Sequence, residues 1–598
     1  MKSKKLSEVP FTNVKVQDKF WGGRMKTHRD VTIDACIREC EETGRISNFA
    51  KAAGIKEGKF EGIYFNDSDV YKVLEGIAYS LANCRDAKLE KKTDEIIDLI
   101  AAAQQSDGYL DTYFILAEPD KKWTDMEKHE DYCAGHLIEA GIAYYKATKK
   151  DKLLKVACNV ANHMMSVLGP GKKHWVVGHE EPELALIKLY RETGNEKYLE
   201  FSKWLLEERG HGYGKGAIWD KKGWGPSYCQ DDKPVKDLSH VSGHAVRAMY
   251  LYTAMADMAG ETGDGEYAEA LDRLWDSVVL RNMYITGGIG STKSNEGFTE
   301  DYDLPNETAY CETCASVGMV YWNHRMNLLS GQSKYADIVE REMYNGALSG
   351  VSLSGDMFFY ENPLATDGSH HRQKWYGCSC CPTQIARFIP SIGNYVYAVS
   401  ESGIWINQYF SNTGDITLDG KKVKIEQKTR YPWDGDVHIK INVEKPCNFN
   451  LNLRKPGWCG KFFLSVNGIS KKDADMNNGY IAIERTWSNG DFIDLHMDMP
   501  VQIVHADKRV RADAGLVCLM RGPIVYCFEE TDNLKLYDKI FVSSESRFKA
   551  EYMPDLLDGI CRITVLGDNG MEFLAVPYYS WDNREPGKMK VWVPENIR

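Results

Sequence analysis

Glu192-Thr193-Gly194-Asn195-Glu196-Lys197-Tyr198 ends one apolar-periodic stretch and opens another. A Thr-Gly pair stops a helix because glycine accepts the left-handed backbone of a helix C-terminus, and the polar residues after it start the next helix. The same punctuation recurs at Ala147-Thr148-Lys149-Lys150-Asp151-Lys152-Leu153, Glu261-Thr262-Gly263-Asp264-Gly265-Glu266-Tyr267 and Leu329-Ser330-Gly331-Gln332-Ser333-Lys334-Tyr335. The copies lie 45, 69 and 68 residues apart, too unevenly for a regular solenoid. Around them, about twelve stretches place apolar residues at helical spacing, beginning near 28, 69, 88, 131, 151, 180, 196, 237, 265, 313, 333 and 382. Twelve helices in six hairpins predict a closed (α/α)6 barrel, with an open helical array as the competing arrangement.

From about residue 399 the period changes to two. Val437-His438-Ile439-Lys440-Ile441-Asn442-Val443 and Phe449-Asn450-Leu451-Asn452-Leu453 alternate, and Asn467-Gly468, Asn478-Gly479 and Asn489-Gly490 supply turns. The reading is a multidomain chain. Residues 17–398 form an (α/α)6 barrel catalytic domain, 399–505 a β-sandwich that could take in a strand from 8–16, and 506–598 a second β-sandwich.

Composition narrows the function. The 598 residues carry 74 Lys and Arg against 86 Asp and Glu, a net charge of −12, with no long basic run, which argues against nucleic-acid binding. No segment approaches the ~18 consecutive apolar residues of a membrane helix. The basic N-terminus is followed by no apolar core of a signal peptide, so a cytoplasmic location is expected. The 16 irregularly spaced cysteines fit metal or catalytic use better than a disulfide framework. Aromatic residues make up 11% of the chain, and aromatic faces are surfaces on which sugar rings stack; large aromatic cores would give the same figure.

Chemistry concentrates in three segments. Gly287-Gly288-Ile289-Gly290-Ser291 precedes Asn295-Glu296-Gly297-Phe298; Tyr310-Cys311-Glu312-Thr313-Cys314 and Trp375-Tyr376-Gly377-Cys378-Ser379-Cys380-Cys381-Pro382 follow. Thiolate-rich sites select zinc among common metals, although this spacing is not that of a zinc ribbon; a purely structural zinc and metal-free buried thiols are the alternatives. Pro382 suits the first turn of a helix, so Cys380 and Cys381 would sit at a helix N-terminus, where partial positive charge favours thiolate. Glu312 and Cys314 can serve one ion only if the chain is non-helical there and the next helix starts near Thr313 or Cys314.

Glu296 sixteen residues before Glu312, Glu312-Thr313-Cys314-Ala315-Ser316, and Cys380-Cys381-Pro382 before Arg387-Phe388 resemble the bacterial β-L-arabinofuranosidases of glycoside hydrolase family 127. Phe65-Asn66-Asp67-Ser68-Asp69-Val70-Tyr71-Lys72, Gly135-His136, Gly178-His179, Gly243-His244 and Phe358-Phe359-Tyr360 fit the same pattern in order, so the likeness spans the whole chain. The resemblance implies an (α/α)6 barrel followed by β-sandwiches. It implies zinc held by Glu312, Cys314, Cys380 and Cys381, with Cys380 also the nucleophile and Glu296 the general acid/base. It implies that His136, His179, His244 and Tyr360 hold sugar hydroxyls. Asp69 is a weaker candidate that could be only a helix N-cap, and Cys311 and Cys378 receive no role.

The implied activity is a retaining glycoside hydrolase that frees L-arabinofuranose from the non-reducing ends of small β-L-arabinofuranosides. As general acid, Glu296 is expected to have a pKa raised by burial or nearby negative charge. The competing functions are hydrolysis of another furanoside or rare plant sugar, a sugar epimerase, and a non-catalytic zinc-containing sugar-binding protein. The expected partner is an oligosaccharide or glycoconjugate, and sandwich edges could pair two copies into a homodimer.

Overall fold

The computed structural model describes residues 6–471, 476–567 and 570–596. Six helices pack in succession: α1 (Asp67–Asn83), α2 (Glu130–Thr148), α3 (Pro182–Thr193), α4 (Ala245–Thr262), α5 (Thr313–Ser330) and α6 (Cys380–Phe388). Each touches the next, and α6 returns to α1, so the six close a ring. These are the contacts expected of the inner layer of an (α/α)6 barrel. Helices Ile33–Glu42, Ala87–Ala103, Lys152–Val167, Glu196–Glu207, Gly265–Arg281 and Ser333–Tyr344 lie outside the ring.

Sequence explains the two layers. An outer helix buries one stripe: Lys152–Val167 buries Leu153, Val156, Ala157, Val160, Ala161 and Met164 at helical spacing. The inner α2 is buried continuously from Glu130 to Tyr144, and its polar members must therefore find partners inside the ring. The punctuation works as its chemistry predicts. Gly194, Gly263 and Gly331 follow their helices at φ of 70°, 71° and 69°, and Lys149 does the same at 65° without being glycine.

Two helical expectations shift. The stretch near 28 begins earlier, running almost unbroken from Trp21 to Glu42. The helix expected near 237 is only a single turn at Val235–Asp237; α4 starts at Ala245. Gly243, at φ +71°, departs from helical backbone just before α4 begins.

Beyond the ring, two sheets span residues 397–497. One orders its strands Ser7–Glu8, Tyr397–Val399, Gly403–Ile406, Cys447–Arg454, Tyr480–Trp487, Met476–Asn477. The other runs Ile469–Ser470, Phe462–Val466, Phe492–Met497, Asp436–Val443, Lys421–Thr429, Asn412–Leu418, Val14–Val16. The N-terminal segment thus enters both sheets, pairing Val14 with Gly414 and Ser7 with Val399. From Val501 on, eight strands and Ala365–Thr366 join by hydrogen bonds into one connected set of nine. Ala365–Thr366, from the helical region, pairs with Met589–Lys590 and joins the C-terminal sheet to the ring.

Candidate active site

The ring brings the N-terminal ends of its helices to one place. Glu312 precedes α5 with non-helical backbone (φ −57°, ψ 134°), Thr313 starts the helix, and Cys314 lies in its first turn. Cys380 and Cys381 are the first two residues of α6. Among the described residues, Glu312, Cys314, Cys380 and Cys381 place one ligand atom each within 4.8 Å of one another. Glu312 Oε1 is 3.5 Å from Cys380 Sγ and 3.6 Å from Cys381 Sγ; Cys381 Sγ is 3.5 Å from Cys314 Sγ and 3.9 Å from Cys380 Sγ.

These four spacings are compatible with a tetrahedral shell around one metal ion such as zinc. Zn–S bonds of about 2.3 Å and Zn–O of about 2.1 Å put ligand atoms roughly 3.6–3.8 Å apart. Glu312 Oε2 is buried without a hydrogen-bond partner. Burial pushes the Glu312 carboxyl well above its usual range, reinforced by the neighbouring thiols. Burial likewise raises Cys381, against the lowering expected at a helix start; it also pushes Cys314 up, but hydrogen bonds from Cys380 and Cys381 bring that thiol below its usual range. Four acids crowded this way cannot all ionise without a cation, and a divalent ion resolves the conflict.

The remaining two thiols of these segments part company. Cys311 stands at φ +38° and turns its sulfur toward Gly288, where an added Cβ would meet it at 3.0 Å. Cys378 is 3.7 Å from Cys380 Sγ, outside the four-atom group.

Tyr360 reaches the same sulfur, its hydroxyl 3.1 Å from Cys380 Sγ. Its segment is fixed to the start of α5 because Thr313 N donates to Tyr360 O at 3.0 Å and Thr313 Oγ1 to Phe359 O at 2.9 Å. Arg45, fully inside the fold, holds the approach to α6 by donating to Gly377 O at 3.1 Å and to Asp69 Oδ2 at 2.8 Å. Asp69 also accepts from Thr383 Oγ1 at 3.2 Å. It is neither an N-cap, a place taken by Asn66, nor open to the site; it ties α1 to α6.

Glu296 lies in a loop at φ +52°, with about a third of its side chain exposed. The Tyr310 hydroxyl donates to Oε1 at 2.9 Å and the Tyr228 hydroxyl to Oε2 at 3.2 Å. His244 Nε2 is 3.4 Å from Oε2. His244 caps α4: its Nδ1 accepts from Val246 N at 3.1 Å and Arg247 N at 3.4 Å, which leaves the proton of the neutral ring on Nε2, facing the carboxylate. Gly243 permits this placement, since a Cβ there would lie 2.2 Å from Ser227 O.

The expected raised pKa of Glu296 is therefore corrected. Burial pushes the carboxyl up, but hydrogen bonding and charge from His244, the Tyr310 hydroxyl and the Arg247 charge outweigh it and hold it below the usual carboxylate range. Burial lowers the three expected histidines, His136, His179 and His244. His179 packs against Tyr132, with ring centroids 4.4 Å apart, and lies 5.6 Å from His244. His136 stands behind Tyr132 with no exposed surface, its Nδ1 3.1 Å from Glu181 Oε1. Tyr132, Tyr228 and Arg45 escaped the sequence reading, and Tyr310 and Arg247 received no role in it. Tyr310 adjoins the Cys311-Glu312 motif and Arg247 ends the motif Gly243-His244-Ala245-Val246-Arg247; the others lie in no motif that points to chemistry.

The geometry of a thiol cluster facing a hydrogen-bonded glutamate agrees with comparison to known proteins. Residues 13–394 match the "Beta-L-arabinofuranosidase, GH127 catalytic domain" model, 403–499 the GH127 middle domain and 501–594 the glycoside hydrolase family 127 C-terminal domain. The chain belongs to glycoside hydrolase family 127. It is 37% identical to a non-reducing end β-L-arabinofuranosidase of Bifidobacterium longum, over 92% of each chain. A β-L-arabinofuranosidase structure from Geobacillus stearothermophilus T6 aligns at a TM-score of 0.94 with 41% identity, over 98% of this chain and 100% of that one. A second family 127 β-arabinofuranosidase structure gives 0.93 and 42%, over 100% and 99%. Family 127 membership makes the protein a glycoside hydrolase and sets aside the epimerase and the non-catalytic binding protein. No helix among the described residues is long and apolar enough to cross a membrane.

Proposed function

We propose that the protein is a retaining glycosidase that frees L-arabinofuranose from the non-reducing ends of small β-L-arabinofuranosides. Cys380 is the nucleophile, Glu296 the acid/base, and Glu312, Cys314, Cys380 and Cys381 the ligands of a zinc ion. The observation that carries this reading is the pairing of a four-ligand cluster containing Cys380 with a glutamate on the far side of two tyrosines. Tyr360 touches Cys380, Tyr310 touches Glu296, and their ring centroids are 6.2 Å apart. A retaining glycosidase needs a nucleophile on one face of the sugar and a proton donor on the other.

In the first step the Cys380 sulfur attacks the anomeric carbon, the glycosidic C–O bond breaks, and the Glu296 proton passes to the leaving oxygen. In the second, Glu296 takes a proton from water, the water oxygen bonds the same carbon, and the C–S bond breaks to restore the thiolate. Zinc, when bound, supplies the positive charge that keeps the sulfur anionic and a competent leaving group. Because Glu296 is held low in the free site, its proton must be taken up as substrate displaces the donors around it. Tyr360, His179 and His244 line the approach and would orient sugar hydroxyls; His136, fully covered, would act through Tyr132 and His179.

Sixteen free cysteines support action in the reducing cytoplasm on small imported oligosaccharides. The test is hydrolysis of aryl and alkyl L- and D-furanosides and pyranosides, with product configuration followed by proton NMR. The reading requires turnover of β-L-arabinofuranosides and first release of β-L-arabinofuranose; release of the α anomer, or preference for another glycone, would refute it.

A further inference from the structure

The catalytic groups leave one feature beside Glu296 without a role. Between the outer helix Glu196–Glu207 and α4, the chain carries a small core of its own, with Ile218, Tyr228 and Cys229 buried and Trp219 and Trp224 packed on them. The Tyr228 ring lies parallel to the Trp224 indole, with centroids 3.9 Å apart and planes 6° apart. Lys221 places its ammonium 3.1 Å from the centre of that indole, which can only be on the face turned away from Tyr228. The feature is anchored to Glu296 through backbone as well as side chain: His244 N donates to Tyr228 O at 3.0 Å, and Ala245 N donates to Glu296 O at 3.0 Å. Tyr228 is buried, Trp224 half-buried and Lys221 exposed, so the three step outward from the carboxylate to solvent.

We propose that Trp224 and Lys221 form the leaving-group subsite, which receives the sugar ring attached to the glycosidic oxygen. The inference rests on Glu296 being the acid. A general acid must reach the oxygen it protonates at hydrogen-bond distance, so the ring bearing that oxygen lies close to the carboxyl. The Oε1 side of Glu296 leads through Tyr310 and Tyr360 to Cys380, and there the arabinose to be released must sit. The Oε2 side leads through Tyr228 to Trp224 and outward. Furanose and pyranose rings present C–H faces that pack on indole. The ammonium now over Trp224 belongs to an exposed, flexible side chain, and an exposed cation–π contact is weak enough for a sugar to displace. Once displaced, its three donors can bond the hydroxyls of the incoming ring. The ligand class is thus an oligosaccharide whose second residue is a sugar, not a simple alkyl glycoside.

The test compares two substrates, a β-L-arabinofuranosyl disaccharide and methyl β-L-arabinofuranoside, in wild type, Trp224→Ala, Trp224→Phe and Lys221→Gln. Trp224→Ala should lower kcat/KM about tenfold more for the disaccharide than for the methyl glycoside, mainly through KM. Trp224→Phe should recover most of that difference, and Lys221→Gln, an exposed change that leaves the small core intact, should show roughly a threefold difference of the same sign. In a second measurement, the partition of the arabinosyl group between added arabinose and added methanol should shift toward methanol in Trp224→Ala. Equal losses on both substrates, or an unchanged partition, would overturn the subsite alone. A wild type inactive on both substrates would overturn the proposed activity and the subsite with it.

Discussion

Cys380 and Glu296 face each other across the Tyr360–Tyr310 pair, and the chain holds them by different means. Cys380 begins α6, inside a ring of six helices, with three ligand-type side chains and Tyr360 around its sulfur. Glu296 sits at positive φ in a loop, held by donors from two other loops and from the cap of α4. The proposed nucleophile is positioned by rigid secondary structure and a charge cluster. The proposed proton-transfer group is positioned by replaceable hydrogen bonds, which suits a residue that would gain and lose a proton in each cycle. The division implies that damage on the cysteine side removes metal and chemistry together, while damage on the glutamate side leaves the metal in place and alters proton transfer.

The largest effect should fall on the cysteine side. Cys380→Ser should lower kcat by about 10⁴-fold or more with every substrate, because the nucleophile itself is gone. Cys314→Ser should lose bound zinc, measured by elemental analysis, together with activity. Glu296→Gln should retain one zinc per chain; a Glu296→Gln protein without zinc would break the division between the two sides.

Next in size, Glu296→Gln should slow alkyl and sugar leaving groups about 10³-fold and dinitrophenyl arabinofuranoside much less in the first step, since an acidic phenol leaves without a proton. Azide, which needs no general base, should restore the second step. Equal losses for good and poor leaving groups with no azide rescue would remove Glu296 from the acid/base role and turn attention to Glu300 or Glu307.

The smallest effect concerns the donors around Glu296. His244→Asn keeps an oxygen to cap α4 and removes the imidazole from the carboxylate. In the proposed second step Glu296 acts as an anion, and its pKa is held down against burial partly by His244. Losing that donor must raise the pKa, so the acid-side fall of kcat on the dinitrophenyl substrate should move to higher pH, by about one unit, with a roughly fivefold loss at the old midpoint. An unmoved pH profile would show that Tyr310 and Arg247 alone set the charge of Glu296.

The contrast also decides what was legible in the chain. The ring could be read because Thr-Gly stops end helices by local backbone chemistry, and the cluster because a cysteine pair before proline predicts a helix N-terminus. Only one of the two cysteines in Cys311-x-x-Cys314 joins the four-ligand group, since the left-handed backbone at Cys311 turns its sulfur away. The surroundings of Glu296 were not legible. Tyr228 and Tyr310 converge on it from 68 residues upstream and 14 downstream, and no local pattern marks a tyrosine as a carboxylate donor. The sign of the Glu296 pKa shift was misjudged for that reason: burial was foreseeable, but its donors were not. The start of α4 was misplaced because Val235 and Leu238 are apolar and buried within an irregular segment.

The central claim is that the Cys380 sulfur, and not the neighbouring Cys381 or a carboxylate, bonds the sugar. A reactive L-arabinofuranose electrophile incubated with the zinc-loaded enzyme, followed by peptide mass mapping, tests it directly. One adduct per chain on Cys380, blocked by free arabinose and absent after zinc removal, is the predicted result. An adduct on Cys381, Glu296 or Glu312, with Cys380 unmodified, would contradict it.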